Sequence, residues 1–268
     1  MKKNVFALAL CAVLSLSLLS ACGGKKAATI KVGASPTPHA QILEVAKEIL
    51  AKDNITLEIV TYDDYVLPNT NVEDGQLDAN YFQHITYMNN FNANDGTHLV
   101  SVADLHYEPF GIYAGKTTSL DALPDGAQIA IPDDPTNGGR ALLLLQEQGL
   151  IKLADGVGLE PTVEDIAENP HNYKIQQLTA NLLTTTLQDV DVAVINGNYA
   201  IGAGLKASEA LAIESADGIA GTAYVNVLAV KEGRENDEAI QALVNALKSD
   251  EVKAFIDETY GGGVVAVF

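Results

Sequence analysis

The chain is 268 residues long and carries 35 acidic against 16 basic side chains, a formal charge of −19. That balance leaves no basic patch to neutralise phosphates, so nucleic acid is excluded as a partner. It also argues against direct docking on an anionic membrane. The only cysteines are Cys11 and Cys22.

Lys2 and Lys3 precede the apolar run "NVFALALCAVLSLSLLSA", which ends in small residues just before Cys22. This is the layout of an export signal, too short and wrongly flanked for a permanent span. Residues 1–21 are read as that signal. "LSAC" (19–22) resembles the bacterial lipobox, in which the cysteine is acylated and becomes the new N-terminus; the alternative is ordinary cleavage at a small-residue site. Cys11 leaves with the signal, so no internal disulfide is available and the exported part must rest on a large core. "GGKKAAT" extends the acylated Cys22 as a flexible tether, residues 22–29.

"IKVGAS" (30–35) alternates as a strand, "AQILEVAKEILAKD" (40–53) has helical apolar spacing, and "ITLEIVTY" (55–62) is a second strand. Together they form a βαβ unit and imply a parallel sheet. The rhythm continues with a strand at 77–82, a helix at 85–94 and a long extended stretch at 98–116. A strand follows at 127–132, then a helix over "GGRALLLLQEQGL" (138–150). Further strands are expected at 173–178, 191–196 and 223–230, and a helix pair closes the chain at 237–261. This is an α/β chain long enough for two lobes of about 100 residues each. The crossings are expected near 107–113 and 222–226, which divides it into lobe 1 (30–109 plus 224–268) and lobe 2 (110–223). Open α/β sheets bind ligands beyond the carboxyl ends of their strands, here in a cleft between lobes.

No catalytic motif stands out: there is no P-loop, no G-x-S-x-G, no H-E-x-x-H and no cysteine nucleophile. The five histidines show no metal spacing, and "GVGLEP" (156–161) is a poor dinucleotide loop because Pro161 follows at once. The chain reads as a non-enzyme without metal or cofactor. What remains suits a small zwitterion. Arg140 falls on the expected first turn of the 138–150 helix, where unpaired amides and the dipole favour a carboxylate. A bound carboxylate would gain a guanidinium clamp there. Asn137 adds an amide, and Gly138 and Gly139 permit close approach. The alternative is that Arg140 pairs with an acid of its own lobe. Phe82, His84 and Tyr87 sit at a strand-to-helix junction, either as ligand walls for an apolar or thioether chain or as core aromatics. Asn196 and Asn226 interrupt or end apolar strands, and each buried amide needs a partner, which a ligand or a loop could supply.

"YDDYVLPN", "DANYFQH", "PDDPTNGGRALLLLQEQGLIKL", "VAVIN" and "YVNVLAV" resemble the methionine-binding lipoproteins of ABC importers, the NlpA family, over essentially the whole exported chain. The resemblance implies a two-lobed periplasmic-binding-protein fold, type II-like. It further implies capture of L-methionine or a close relative for an ABC permease and its ATPase. The protein would be held by its N-terminal lipid, a palmitate-type acyl group, on the extracytoplasmic face of the cell membrane. By position, Tyr65, Phe82, His84 and Tyr87 would surround the ligand side chain, Arg140 and Asn137 would clamp the carboxylate, and Asn196 and Asn226 would meet the ligand backbone. Tyr81 stands where relatives carry a small residue, and Glu108 where some carry an aromatic, so D-methionine or a methionine-containing dipeptide stays open as ligand. An adhesin or interaction lipoprotein on the same fold is the alternative function.

Overall fold

The structure is a computed structural model and describes residues 28–268. The signal peptide, the lipobox with Cys22 and most of the tether lie outside the described residues. Among the described residues, no helix is long and apolar enough to cross a membrane.

β1 (Ala28–Ala34) leads through a tight turn at Pro36–Ala40 into α1 (Gln41–Ala51), whose Ile42, Leu43, Ala46 and Leu50 are buried. β2 (Ile55–Thr61) returns parallel to β1 in a seven-residue register. α2 (Leu67–Glu73) has no counterpart in the sequence reading, because "LPNTNVE" shows too few apolar residues for a helical period. β3 (Ala79–His84) is buried at all six positions and pairs parallel with β1. α3 (Ile85–Asp95) starts where the His84 ring accepts the Tyr87 amide, a side-chain cap for a helix that lacks Ser, Thr or Asp at that point.

The expected continuous extended stretch at 98–116 is broken at residues 108–110. β4 (Leu99–Tyr107) belongs to one sheet and β5 (Gly111–Ala114) to another. β6 (Gln128–Pro132) feeds α4 (Pro135–Glu147). Then come a small hairpin, β7 (Lys152–Leu153) with β8 (Ile166–Glu168), and β9 (Lys174–Leu178). α5 (Leu183–Thr186), β10 (Val192–Ile195), α6 (Gly197–Gly202), β11 (Ala212–Ile213) and α7 (Ala220–Ala223) follow. β12 (Val225–Lys231), α8 (Glu238–Leu247), α9 (Asp250–Tyr260) and β13 (Val265–Ala266) complete the chain.

The strands form two main sheets, β13-β4-β12-β3-β1-β2 and β11-β5-β10-β6-β9. In the first, α1, α8 and α9 cover one face through Leu43, Leu243 and Ile256, while Val72 and Met88 cover the other. In the second, Leu142, Leu144 and Leu145 of α4 pack on Ile129, Ile131, Val192 and Val194. Each fully buried leucine contributes about 1.5–3 kcal/mol. The chain leaves the first sheet after Tyr107 and rejoins it at Val225, and those two residues are antiparallel partners. The two crossings therefore run side by side, beneath the ends of both sheets.

Two local expectations change. α4 begins three residues before the expected 138–150 helix, because Pro135 can occupy the first helical position and Asp134 caps it by accepting the Asn137 amide. Arg140 is thus in the second turn, and the free amides expected beside it are not there. Gly139 does not open space for a ligand either: a Cβ there would lie 2.7 Å from Glu160 Cα, so the backbone at Leu159 and Glu160 fills that approach. Gly138 faces the Pro132 carbonyl in the same way, at 3.0 Å.

Candidate functional site

Next to the two crossings lies a hollow of about 340 Å³, near the lower end of the ~300–1,000 Å³ typical of small-molecule sites. All eight residues singled out from the sequence line it: Tyr65, Phe82, His84, Tyr87, Asn137, Arg140, Asn196 and Asn226. Gln83, Glu108, Gly197 and Asn198 join them. The lining comes from both sheets: β3, α3 and β12 on one side, α4, the end of β10 and the start of α6 on the other.

One end is aromatic. The rings of Tyr65 and Phe82 lie 5.7 Å apart, Tyr65 and Tyr87 also 5.7 Å, and Phe82 and Tyr87 6.2 Å in an edge-on arrangement. Both phenols here are already used: Tyr65 donates to Asn198 Oδ1 at 2.6 Å, and Tyr87 to the Tyr65 carbonyl at 3.2 Å. This end therefore offers ring faces and edges rather than free hydroxyls.

The other end is polar. Arg140 is 3 % exposed, and its expected freedom from the protein's own acids is corrected here. Its Nη2 meets Glu214 Oε2 at 2.5 Å, its Nε lies 3.0 Å from Oε1, and Nη2 also donates to the Glu108 carbonyl at 2.9 Å. Tyr224 and Phe110 rings sit 4.2 and 4.7 Å from the guanidinium carbon. Tyr107 donates its hydroxyl to Glu214 Oε2 at 2.6 Å, which fixes the acid in turn. Burial works against the charge on Arg140, but the Glu214 carboxylate more than offsets it and holds the pKa above the ordinary value. Among the described residues, Nη1 has no hydrogen-bond partner, so one arm of the guanidinium remains for the hollow.

The amides have defined ends. Asn137 gives its Nδ2 to Asp134 and accepts at Oδ1 from Asn196 Nδ2 (2.8 Å) and His84 Nε2 (3.2 Å). His84 accepts at Nδ1 and therefore carries its proton on Nε2. Burial, with Arg140 nearby, pushes its pKa down to about 3. Asn196 is left with a buried Oδ1 that has no partner among the described residues. Asn226 engages its Oδ1 with His39 Nε2 at 2.9 Å, leaving its Nδ2 without a protein partner among the described residues. The hollow thus pairs unspent donors, Arg140 Nη1 and Asn226 Nδ2, with an unspent acceptor, Asn196 Oδ1. That is the hydrogen-bond complement of an α-amino acid.

Glu108, whose role the sequence left open, is buried, with Oε1 2.7 Å from His106 Nε2 and 3.4 Å from His39 Nε2. Burial raises its pKa despite the opposing pull of His39 and Arg140. The histidines scattered in sequence are thus partly gathered: His39, His106 and Glu108 place potential ligand atoms within 4.8 Å of one another. Gly197 is needed here, since a Cβ would lie 2.8 Å from Glu108 Oε2. Glu214, His39, Gln83 and Asn198 were not foreseen. Glu214 is an acid 74 positions from its partner with no motif around it, and only the fold joins them.

The family model for NlpA lipoproteins matches residues 30–268. The chain belongs to the NlpA lipoprotein family. It is 44% identical over 241 residues to the D-methionine-binding lipoprotein MetQ of Escherichia coli O157:H7, covering 88% of this chain and 87% of that one. Among solved structures, lipoprotein Tp32 from Treponema pallidum matches at 42% identity with a TM-score of 0.85, covering 90% of this chain and all of that one (100%). A nutrient-binding protein from Burkholderia cenocepacia, bound to methionine, matches at 41% identity and a TM-score of 0.85, covering 89% of this chain and 100% of that one. NlpA members of known structure share this architecture, so the fold is that of two-lobed periplasmic substrate-binding proteins, as the motifs implied.

Proposed function

We propose that this NlpA lipoprotein captures L-methionine outside the cytoplasmic membrane and passes it to an ABC permease driven by an ATPase. The observation that carries this is the division of the hollow into an aromatic box and a polar end with spare donors and a spare acceptor. A thioether packs well against ring edges, while the zwitterionic end matches Arg140, Asn226 and Asn196. The eight lining residues are the proposed contacts. Residues 30–109 with 224–268, and 110–223, are the proposed lobes. A ligand held between them binds the closed arrangement better and shifts the population toward it. Acylation at Cys22 would keep the protein at the membrane, with no catalysis of its own.

D-methionine fits the same donors and acceptor with its side chain redirected, and the names of several relatives favour it as the second reading. Identifying the small molecule released on denaturing freshly purified protein tests the proposal. Mass spectrometry should find methionine in near-stoichiometric amount, and chiral chromatography should give its hand. A different amino acid, or a compound lacking an ammonium, would overturn it.

A further inference from the structure

His39 does not line the hollow, yet it is completely buried behind it, on the turn between β1 and α1. Its Nε2 faces two acceptors, Asn226 Oδ1 at 2.9 Å and Glu108 Oε1 at 3.4 Å, while its Nδ1 has no partner among the described residues. We infer that His39 is a positioning residue for the ligand: its Nε2–H locks the Asn226 amide with the oxygen turned away from the hollow and the nitrogen turned toward it. This rests on the reading of the hollow as an amino-acid site and goes beyond it, since His39 itself touches no ligand.

The proton inventory leaves one consistent arrangement. A neutral imidazole has a single N–H. With that proton on Nδ1 it would be orphaned, and three lone-pair-bearing atoms would crowd at Nε2. With it on Nε2, the proton is shared by an amide oxygen and a carboxylate. Flipping Asn226 would then set donor against donor, at the cost of a buried unpaired group. Asn226 also sits in β12 directly opposite His106 and His84, so its backbone is pinned on both sides and the amide orientation is its main freedom.

Glu108 cannot take over this task, because its Oε1 is held at 2.7 Å by His106, whose Nδ1 is in turn bonded by the Tyr81 hydroxyl. The Tyr81–His106–Glu108 chain instead fixes the second acceptor that His39 faces. Two imidazoles and a carboxylate also suggest a metal site. The separation decides against it: two ligands on a tetrahedral zinc at ~2.0–2.1 Å stand roughly 3.3 Å apart, whereas His106 Nε2 and Glu108 Oε1 are in hydrogen-bond contact at 2.7 Å.

The test has two arms on the full exported protein. First, 15N NMR of the histidine rings in the wild-type protein at pH 7 should show His39 as the neutral Nε2–H tautomer; a Nδ1–H tautomer or an imidazolium overturns the inference. This arm needs no ligand, so a failure of the functional reading is distinguishable from a failure of the positioning role. Second, L-methionine titrations of His39→Leu, His39→Gln, Asn226→Ala and the double variant H39L/N226A form a cycle. His39→Leu should weaken binding about tenfold or more, as expected for one buried hydrogen bond lost. His39→Gln, which restores an N–H at the Nε2 position, should recover most of that. On the Asn226→Ala background, His39→Leu should change affinity less than about twofold. An equal loss on both backgrounds would show that His39 acts through general packing, and would overturn the inference.

Discussion

Arg140 and Glu214 form a buried fork, with Nε and Nη2 of the one spanning both oxygens of the other. The cation at the proposed site is therefore neutralised before any ligand arrives. A ligand carboxylate meets a held ion pair with one free arm, Nη1, instead of a bare charge. That arrangement keeps the empty site stable and leaves the ligand to be recognised by hydrogen-bond geometry as much as by charge.

Glu214→Gln should expose the role of the fork. Leaving a buried guanidinium without its counter-ion costs roughly 3–5 kcal/mol, so the ligand-free melting temperature should drop. L-methionine should then raise it by more than in the wild type, because the ligand carboxylate becomes the missing counter-ion. Thermal shift with and without ligand reads both effects; an unchanged ligand shift contradicts the account.

Arg140→Ala alone should lose methionine and also fold less stably, since it strands Glu214. The pair Arg140→Ala with Glu214→Gln separates the two effects. It should melt higher than Arg140→Ala yet still bind at least tenfold more weakly than wild type, the order expected for ~2–5 kcal/mol lost at a buried charged contact. Near-wild-type affinity in the pair would remove Arg140 from the site.

Asn196 Oδ1 is a buried acceptor without a protein partner, so it should select for the ligand ammonium. The desamino analogue of methionine should bind wild type at least tenfold more weakly than methionine, leaving that acceptor unpaired. In Asn196→Leu the discrimination should shrink. Equal discrimination in both proteins, measured by competition titration, would assign the ammonium elsewhere.

The pH dependence of stability follows from the buried imidazoles. Burial lowers His84 and His106 to about 3 and His39 to about 4. The unfolded chain protonates them near 6.5, so between 6.5 and about 4 it binds more protons than the native state. Their stabilisation is complete above 6.5 and is lost as the pH falls through that window. Glu108 and Asp134, raised by burial, work in the opposite sense and offset part of it. With three groups against two, the net slope should be about 1.4 kcal/mol per pH unit. Melting temperature at moderate salt, which screens the acidic surface, should fall from pH 7 to pH 5; a rise would contradict neutral buried histidines.

Cys22→Ser should abolish acylation and release the protein from the membrane fraction. Intact-mass measurement of the membrane-extracted wild type should show a chain that begins at an acylated Cys22. A mature chain that starts elsewhere would refute the anchor.

Much of the site could be read from the chain because its residues sit at element ends. Phe82 and His84 close a strand of apolar character, Asn196 follows "VAVI", and Asn226 breaks an otherwise apolar run. Each is a polar or aromatic residue in a place where local pattern makes it conspicuous. What stayed hidden depends on tertiary proximity: Glu214 and His39 lie on unremarkable turns, and only the meeting of β1, β4 and β12 brings His39 to Asn226 and Glu108. The start of α4 was misplaced for a local reason, since "GGR" looks like a helix entry until Asp134 and Pro135 are recognised as cap and first residue. α2 was missed because its seven residues bury little besides Val72.

Isothermal titration of ligand-stripped protein with L-methionine tests the central claim most directly. Saturable one-to-one binding, much weakened when the carboxylate or the ammonium is removed from the titrant, is the expected result. No saturable heat with methionine of either hand, up to millimolar concentration, would contradict the assignment of this hollow as an amino-acid site.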